Sequence, residues 1–374
     1  MLMVLFFHCA RFFDDQGWHA KSGEVSYGMT VFVEVVAQWL MPLFFVLSGI
    51  SACYALTYLC SRRYLSARVK RLLVPLIFGS LTHVSLQVYI ERATQGGFSG
   101  SFFAFYPHYF EGFYGFGGNF AWIGLHLWYL EMLFLFSLIT LPLFLWLRSE
   151  KAKRVTTGIA DLLTKPGAIF LLAVPLGVVE LLVNLDPDGV GVRPFGGWAL
   201  FPHLVFFVSG YLLASDSRFR PTLEKHRATG LILGVIATIV GYFLFKYAGY
   251  SSHGYLFSFL RAVNSWCWLI AILGFGSTYL SFNNRILNYA NEAVLPFYIL
   301  HQSVIIVIGY FMIDWTAGVM RQYLFLSMTS FATIMVLYEL LVRHFNIMRF
   351  LFGLKPKKRI PVCALPHQSG AKAI

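Results

Sequence analysis

The apolar residues of this chain neither alternate nor form one-sided helical stripes. They come in long runs, at 29–60, 72–91, 122–147, 168–184, 198–215, 229–247, 257–281, 293–313 and 323–343. A helix needs roughly 20 mostly apolar residues to cross the hydrocarbon core of a bilayer, so each run reads as a spanning helix. A shorter apolar run occupies 1–13. It has no basic leader, and His8 and Arg11 interrupt it, so it does not read as a signal peptide. It reads as the C-terminal part of a first span whose beginning precedes this chain. The pattern predicts an all-α, polytopic membrane bundle of about ten transmembrane helices, with the first helix truncated at its N-terminus.

Composition supports that reading. Of the 374 residues, 58% are hydrophobic and 12% charged. Soluble domains carry about 25% charge, and half of that cannot coat a soluble surface of this size. A soluble enzyme, a disordered chain and a small disulfide-stapled domain are excluded. The five cysteines, Cys9, Cys53, Cys60, Cys267 and Cys363, form no CxxC pair, so neither a disulfide framework nor a metal site is predicted.

The net charge of +12 changes the picture through its placement. Of the 29 Lys and Arg residues, 22 fall in segments 62–71, 148–167, 216–228, 282–291 and 343–374. With ten helices these segments share one side, and the positive-inside rule makes it cytoplasmic, together with both termini. The opposite loops hold only Lys21, Arg92, Arg193 and Arg321, with Arg11 at a helix end. Charge spread over five loops is a topology signal, and no nucleic acid partner is expected. The long outer connection 92–121 is rich in Phe, Tyr and Gly. It reads either as an interfacial aromatic belt or as the lining of a cavity mouth. The tail 344–374 is basic and reads as disordered, with Lys355, Lys357, Lys358 and Arg359 near anionic headgroups.

Polar and ionisable groups at membrane depth are costly, which makes them the candidates for chemistry. They include His8, Glu34, Gln38, His83, His126, Glu131, Glu180, Arg261, His301, Gln302 and Glu339. His8 suits acid–base work, or packs as a hydrogen-bonded core histidine. Glu34 and Gln38, four apart, share a helical face that either orients His8 or joins two helices. Trp122, His126 and Tyr129 are spaced as one aromatic face, as are Tyr298, His301 and Gln302. Arg68 and Arg71, three apart in the basic loop with Arg63 nearby, match the phosphates of a cytoplasmic ligand, or merely mark topology. No P-loop, GxGxxG, HExxH or GxSxG motif occurs.

Six segments, in order, resemble the acyltransferase-3 family of membrane proteins. They are Phe7-His8 with Gly17-Trp18-His19; Met41 through the Phe-Phe-Val-Leu-Ser-Gly ending at Gly49; Arg68 to Arg71 with Pro75; His126-Leu127-Trp128-Tyr129-Leu130; Phe297-Tyr298-Ile299-Leu300-His301; and Leu337-Tyr338-Glu339 leading to Pro356. The resemblance runs nearly end to end. It implies ten core helices and transfer of acyl groups from cytoplasmic acyl-CoA to envelope carbohydrates. Within the family, a branch that succinylates periplasmic glucans is the most similar. On this resemblance His8 matches the catalytic histidine, and Arg68 and Arg71 match the cytoplasmic basic motif. His126, Trp128, Tyr298 and His301 fall in two further motifs, taken as substrate-binding. The family also has an arginine eleven positions before its histidine, about 16 Å along the helix. That position lies upstream of Met1, so either the start is placed too late or the first helix is truncated, and a truncated chain would lack this arginine for acyl-CoA binding.

The expectation is therefore a bacterial inner-membrane O-acyltransferase domain at 1–343. Acyl-CoA is its donor, with Arg63, Arg68 and Arg71 at the phosphates. His8, aided by Glu34, acts as base on a hydroxyl of an envelope glycan, or forms an acyl-histidine. No metal is expected. The competing class is a multi-pass exporter of a carboxylate or glycan, since Pro42, Pro75, Pro142, Pro175, Pro202 and Pro296 interrupt spans.

Overall fold

The structure is a computed structural model and describes residues 1–184, 200–248 and 254–357. Arg193 and the tail from residue 358 lie outside the described residues, as does Cys363. Every described element is helical, and an isolated bridge between Phe113 and Phe120 is the sole β pairing among them.

Five helical stretches are long and apolar enough to cross a membrane: Tyr27–Tyr58, Phe219–Leu244, Tyr255–Tyr279, Arg285–Tyr310 and Val319–Val342. Two more runs fold as bent pairs, Ser61–Leu81 with His83–Thr94 at 41° and Leu125–Ile139 with Leu141–Leu147 at 52°. The second bend sits where Pro142 removes a backbone donor near the start of the following helix. The remaining apolar runs form Leu2–Arg11, Ala168–Val183 and Leu200–Ser215 within the described residues. All ten runs are thus helical where they are described, and among the described residues five to seven have spanning length. Ordered structure also continues past residue 343, where composition predicted a disordered tail. Asn346–Leu351 is helical, and Arg349 is buried with its Nη1 donating to Glu292 Oε1 at 2.6 Å.

One helix is central. Arg285–Tyr310 is buried on nearly every side from Pro296 to Ile306, as expected of a helix apolar all round. The first helix, Leu2–Arg11, packs beside it and beside Val319–Leu337. A second structural element is the crossing of Leu40–Tyr58 with Leu200–Ser215. Two similar segments meet there, each ending in Ser-Gly: Ser48-Gly49 and Ser209-Gly210. A Cβ on Gly49 would lie 2.0 Å from the Phe207 carbonyl, and one on Gly210 would lie 2.0 Å from the Val46 carbonyl. Only glycine permits this backbone contact, the small-residue device of membrane helix pairs. Two π-helical turns, Val69–Leu73 and Tyr338–Val342, interrupt the helices that carry Arg71 and Glu339. Such turns widen a helix locally and are frequent near functional sites.

Candidate active site

Four imidazoles converge against the central helix. His8 lies in the last turn of Leu2–Arg11 and is half-buried. Its Nδ1 donates to the Val4 carbonyl, one turn back, at 3.0 Å. A neutral imidazole has one N–H, so Nε2 of His8 keeps its lone pair. On the central helix, Tyr298, His301 and Gln302 share a face because they are three and four residues apart. His301 is fully buried, and its Nδ1 donates to the Tyr298 carbonyl at 2.5 Å. The His8 and His301 rings meet edge-on, with centroids 4.8 Å apart at 63°.

A strained turn delivers His126. Gly124 has φ 75°, and Leu125, at φ 51°, is the one non-glycine with positive φ among the described residues. A Cβ on Gly124 would come within 2.9 Å of both Leu127 and Leu76. The turn places the His126 ring 5.1 Å from His301, nearly perpendicular to it. Its Nε2 donates to the Ile299 carbonyl at 2.9 Å, and its Nδ1 accepts from Gln87 Nε2 at 3.2 Å. Gln87 also donates to Ser303 Oγ at 2.6 Å and accepts from Gln302 Nε2 at 3.0 Å. Ser303 Oγ accepts from His83 Nδ1 at 2.7 Å and donates to the His83 carbonyl at 3.2 Å. Every polar atom of Gln87 and Ser303 is used, which fixes the tautomers of His83 and His126. His126 has both nitrogens engaged. His83 Nε2 and His301 Nε2 are buried without a hydrogen-bond partner among the described residues. Among those residues, no group of three or more His, Cys, Asp or Glu is arranged to hold a metal ion.

Above this cluster the segment after the first helix folds back on itself. Asp14 is fully buried and accepts from Arg11 Nη1 and Lys21 Nζ, both at 2.5 Å. Burial pulls the Lys21 ammonium below its ordinary pKa, with Asp14 opposing the shift. This knot sets Trp18 beside His8, with ring centroids 6.3 Å apart, and His19 beside Trp18 at 5.9 Å. The Glu91 carboxylate accepts from His19 Nδ1. It also accepts from Tyr114 Oη, at 2.8 Å on one oxygen and 3.0 Å on the other. Burial, and then the Glu91 charge, push the Tyr114 phenol above its ordinary pKa, so Tyr114 remains the donor. Arg92 bonds Asn119 Oδ1 at 2.9 Å and the Gly118 carbonyl at 3.0 Å. The aromatic connection 92–121 is thereby strapped to the segment that follows the first helix.

The other predicted site residues sit elsewhere. Tyr298 donates its hydroxyl to the His126 carbonyl and so braces the strained turn. Trp128 packs its ring at a tilt against His203, centroids 5.3 Å apart, and against Phe45 at 6.1 Å. Trp122 is 43% exposed and precedes the turn at Gly124, so it shares no helical face with His126 and Tyr129. Tyr129 instead turns inward to Ser48 Oγ at 2.5 Å. Glu34 has no hydrogen bond to His8 among the described residues. It lines a separate cavity of about 330 Å³ with Gln16, Gln38, Arg261 and Asn264. The pairing of Glu34 with His8 expected from sequence is thus not made, because the two side chains face different spaces. Arg63 and Arg71 are exposed, and Arg68 lies over the Tyr64 ring at 4.8 Å. None of these three arginines has an ion-pair partner among the described residues, which leaves their charge available.

Gln87, Ser303 and Glu91 carry much of the geometry yet had no sequence signal of their own. Gln87 and Ser303 sit singly within apolar runs, and Glu91 closes a run that reads as membrane. Only a search for every hydrogen-bonding side chain inside the predicted spans would have raised them.

Comparison with known proteins gives the same direction. A family profile described as an acyltransferase domain, acyltransferase-3, matches residues 1–339. Glucans biosynthesis protein C of Salmonella heidelberg (strain SL476) is 21% identical, over 95% of this chain and 92% of its own length. The proteins of the same name from Salmonella schwarzengrund and Salmonella typhi match at the same identity and coverage. No solved structure matches.

Proposed function

Because the chain belongs to the acyltransferase-3 family, a group of membrane acyltransferases, we propose that it moves an acyl group from cytoplasmic acyl-CoA to a hydroxyl of an envelope glycan. The membrane is the bacterial inner membrane. The similarity to glucans biosynthesis proteins favours a glucan as acceptor, and the acyl group in this reading is succinyl or acetyl. The observation that carries this reading is His8, whose free Nε2 lies at the head of a buried imidazole cluster.

In this reading the acceptor enters from the outer side, past Trp18 and the strapped loop 92–121. His8 Nε2 takes the hydroxyl proton as the oxygen attacks the thioester carbonyl. Arg68 and Arg71, with Arg63, hold the phosphates of the donor at the cytoplasmic end, where guanidinium groups pair with them bidentately. His126 and Tyr298 brace the pocket, and Trp128 packs behind it. Glu34 takes no part in the proton transfer, since it faces the other cavity.

The test is release of free CoA thiol by the purified chain in lipid nanodiscs, given acyl-CoA and a glucan. Turnover is expected only with both substrates, and His8→Ala is expected to lower kcat at least about 100-fold. Replacing Arg68 and Arg71 with Gln is expected to raise KM for acyl-CoA about tenfold or more with little change in KM for the glucan, at about 1.4 kcal/mol per tenfold. Full turnover by His8→Ala rejects the assigned base, and an unchanged KM reduces the arginines to a topology signal.

A further inference from the structure

A histidine base is ordinarily backed by a carboxylate that stabilises the imidazolium formed when it takes a proton. His19 has such a partner in Glu91. His8 does not: its Nδ1–H is committed to the Val4 carbonyl, and no carboxylate bonds it among the described residues. Glu34, the carboxylate that sequence offered, lies in another cavity. An imidazolium formed at His8 inside an apolar bundle would be costly without compensation. The group in contact with it is His301.

We infer that His301 is the positioning partner of His8, a second imidazole that shares the proton His8 takes from the acceptor. His301 is fully buried, and its Nδ1–H is fixed on the Tyr298 carbonyl. Its Nε2 therefore carries a lone pair, and that atom has no partner among the described residues. At 4.8 Å between centroids and 63° between planes the two imidazoles are in contact, which makes His301 the nearest ring to His8 with a nitrogen still free to accept. The other close imidazole, His126, has no capacity left, because both its nitrogens are bonded. The inference rests on His8 acting as the base.

The bonds balance as follows. The acceptor O–H bond breaks and an N–H bond forms at His8 Nε2. The acceptor oxygen bonds the acyl carbon, and the C–S bond to CoA breaks. Once the acceptor oxygen has bonded the acyl carbon and released the Nε2 hydrogen, that N–H donates to His301 Nε2, which stabilises the imidazolium. The Tyr298 carbonyl stabilises the far end of the pair through the His301 Nδ1–H. The proton then passes from His8 to the departing thiolate, which leaves as free CoA thiol. His301 needs no contact with either substrate, in keeping with its burial.

The experiment compares His301→Gln and His301→Ala with the unaltered full chain in nanodiscs, using acyl-CoA and glucan at saturating and limiting concentrations. Gln keeps an amide donor for the Tyr298 carbonyl and an oxygen toward His8, but it cannot share the charge. The expected result for His301→Gln is a kcat about 100-fold lower with both KM values unchanged. For His301→Ala, added imidazole is expected to restore part of the lost kcat by occupying the vacated space. Undiminished kcat in His301→Gln, or a loss in His301→Ala that imidazole does not restore, overturns the inference. No turnover by the unaltered chain sinks the proposed function, and this inference with it. Turnover by the unaltered chain alongside an unimpaired His301→Gln sinks only the inference.

Discussion

At the scale of single residues, the site is a matter of which lone pairs are free. Four imidazoles sit within one buried cluster, but their hydrogen bonds give them different capacities. His126 is saturated by Ile299 and Gln87 and has a holding role. His8 and His301 each return one N–H to their own helix and keep one nitrogen bare. This division makes Gln87 a support rather than a reactant. Gln87→Leu removes the donors to His126 and Ser303 and leaves the Gln302 amide without its acceptor. Unpaired buried polar groups of this kind cost about 1–3 kcal/mol each. The expected outcome is a clearly lower thermal midpoint in detergent, with KM for acyl-CoA unchanged. An unaltered midpoint would mean the network contributes nothing to the bundle.

At the scale of elements, the Gly49–Gly210 crossing is the contact with least tolerance. Either glycine changed to Ala drives a methyl into a backbone carbonyl, which cannot rotate away as a side chain would. Overpacking typically costs about 1–3 kcal/mol, and a backbone clash belongs at or beyond the upper end of that range. Gly210→Ala is expected to abolish monodisperse protein in gel filtration, while Gly276→Ala, with nothing within 4 Å, is expected to behave as the unaltered chain. Equal behaviour of the two variants would contradict the crossing.

The elements also show what the sequence could convey. Apolar runs locate helices well, because burial in lipid demands continuous apolar stretches. They say less about length, since a run can fold as a bent pair, as Leu125–Ile139 with Leu141–Leu147 does. Polarity at membrane depth brought His8 forward, helical spacing brought His126, Tyr298 and His301, and the fold gathers all four. It misplaced Glu34, because spacing on one helix shows which residues share a face and not which neighbour that face meets. It passed over Glu91 and Gln87, whose importance lies in partners 72 and 39 residues away in sequence.

At the scale of the whole molecule, the proposed reaction has two sides: the donor is proposed to meet the arginines of the basic loop, and the acceptor the His19–Glu91–Tyr114 strap. Cys60 is exposed beside the basic loop, whereas Cys9 and Cys267 are buried and Cys53 is half-buried. In a Cys363→Ser background, a membrane-impermeant maleimide is expected to label Cys60 in inverted vesicles and not in right-side-out ones. The opposite pattern would reverse the orientation and place the arginines outside, away from cytoplasmic acyl-CoA.

The most direct measurement is mass spectrometry of envelope glycans from cells making this chain, beside cells making its His8→Ala variant at equal membrane abundance. An acyl mass increment on the glycan with the unaltered chain, absent with His8→Ala, is the expected result, and the size of the increment names the acyl group. An increment of the same size from both would contradict the assignment of His8. No increment from either would contradict acyl transfer to an envelope glycan.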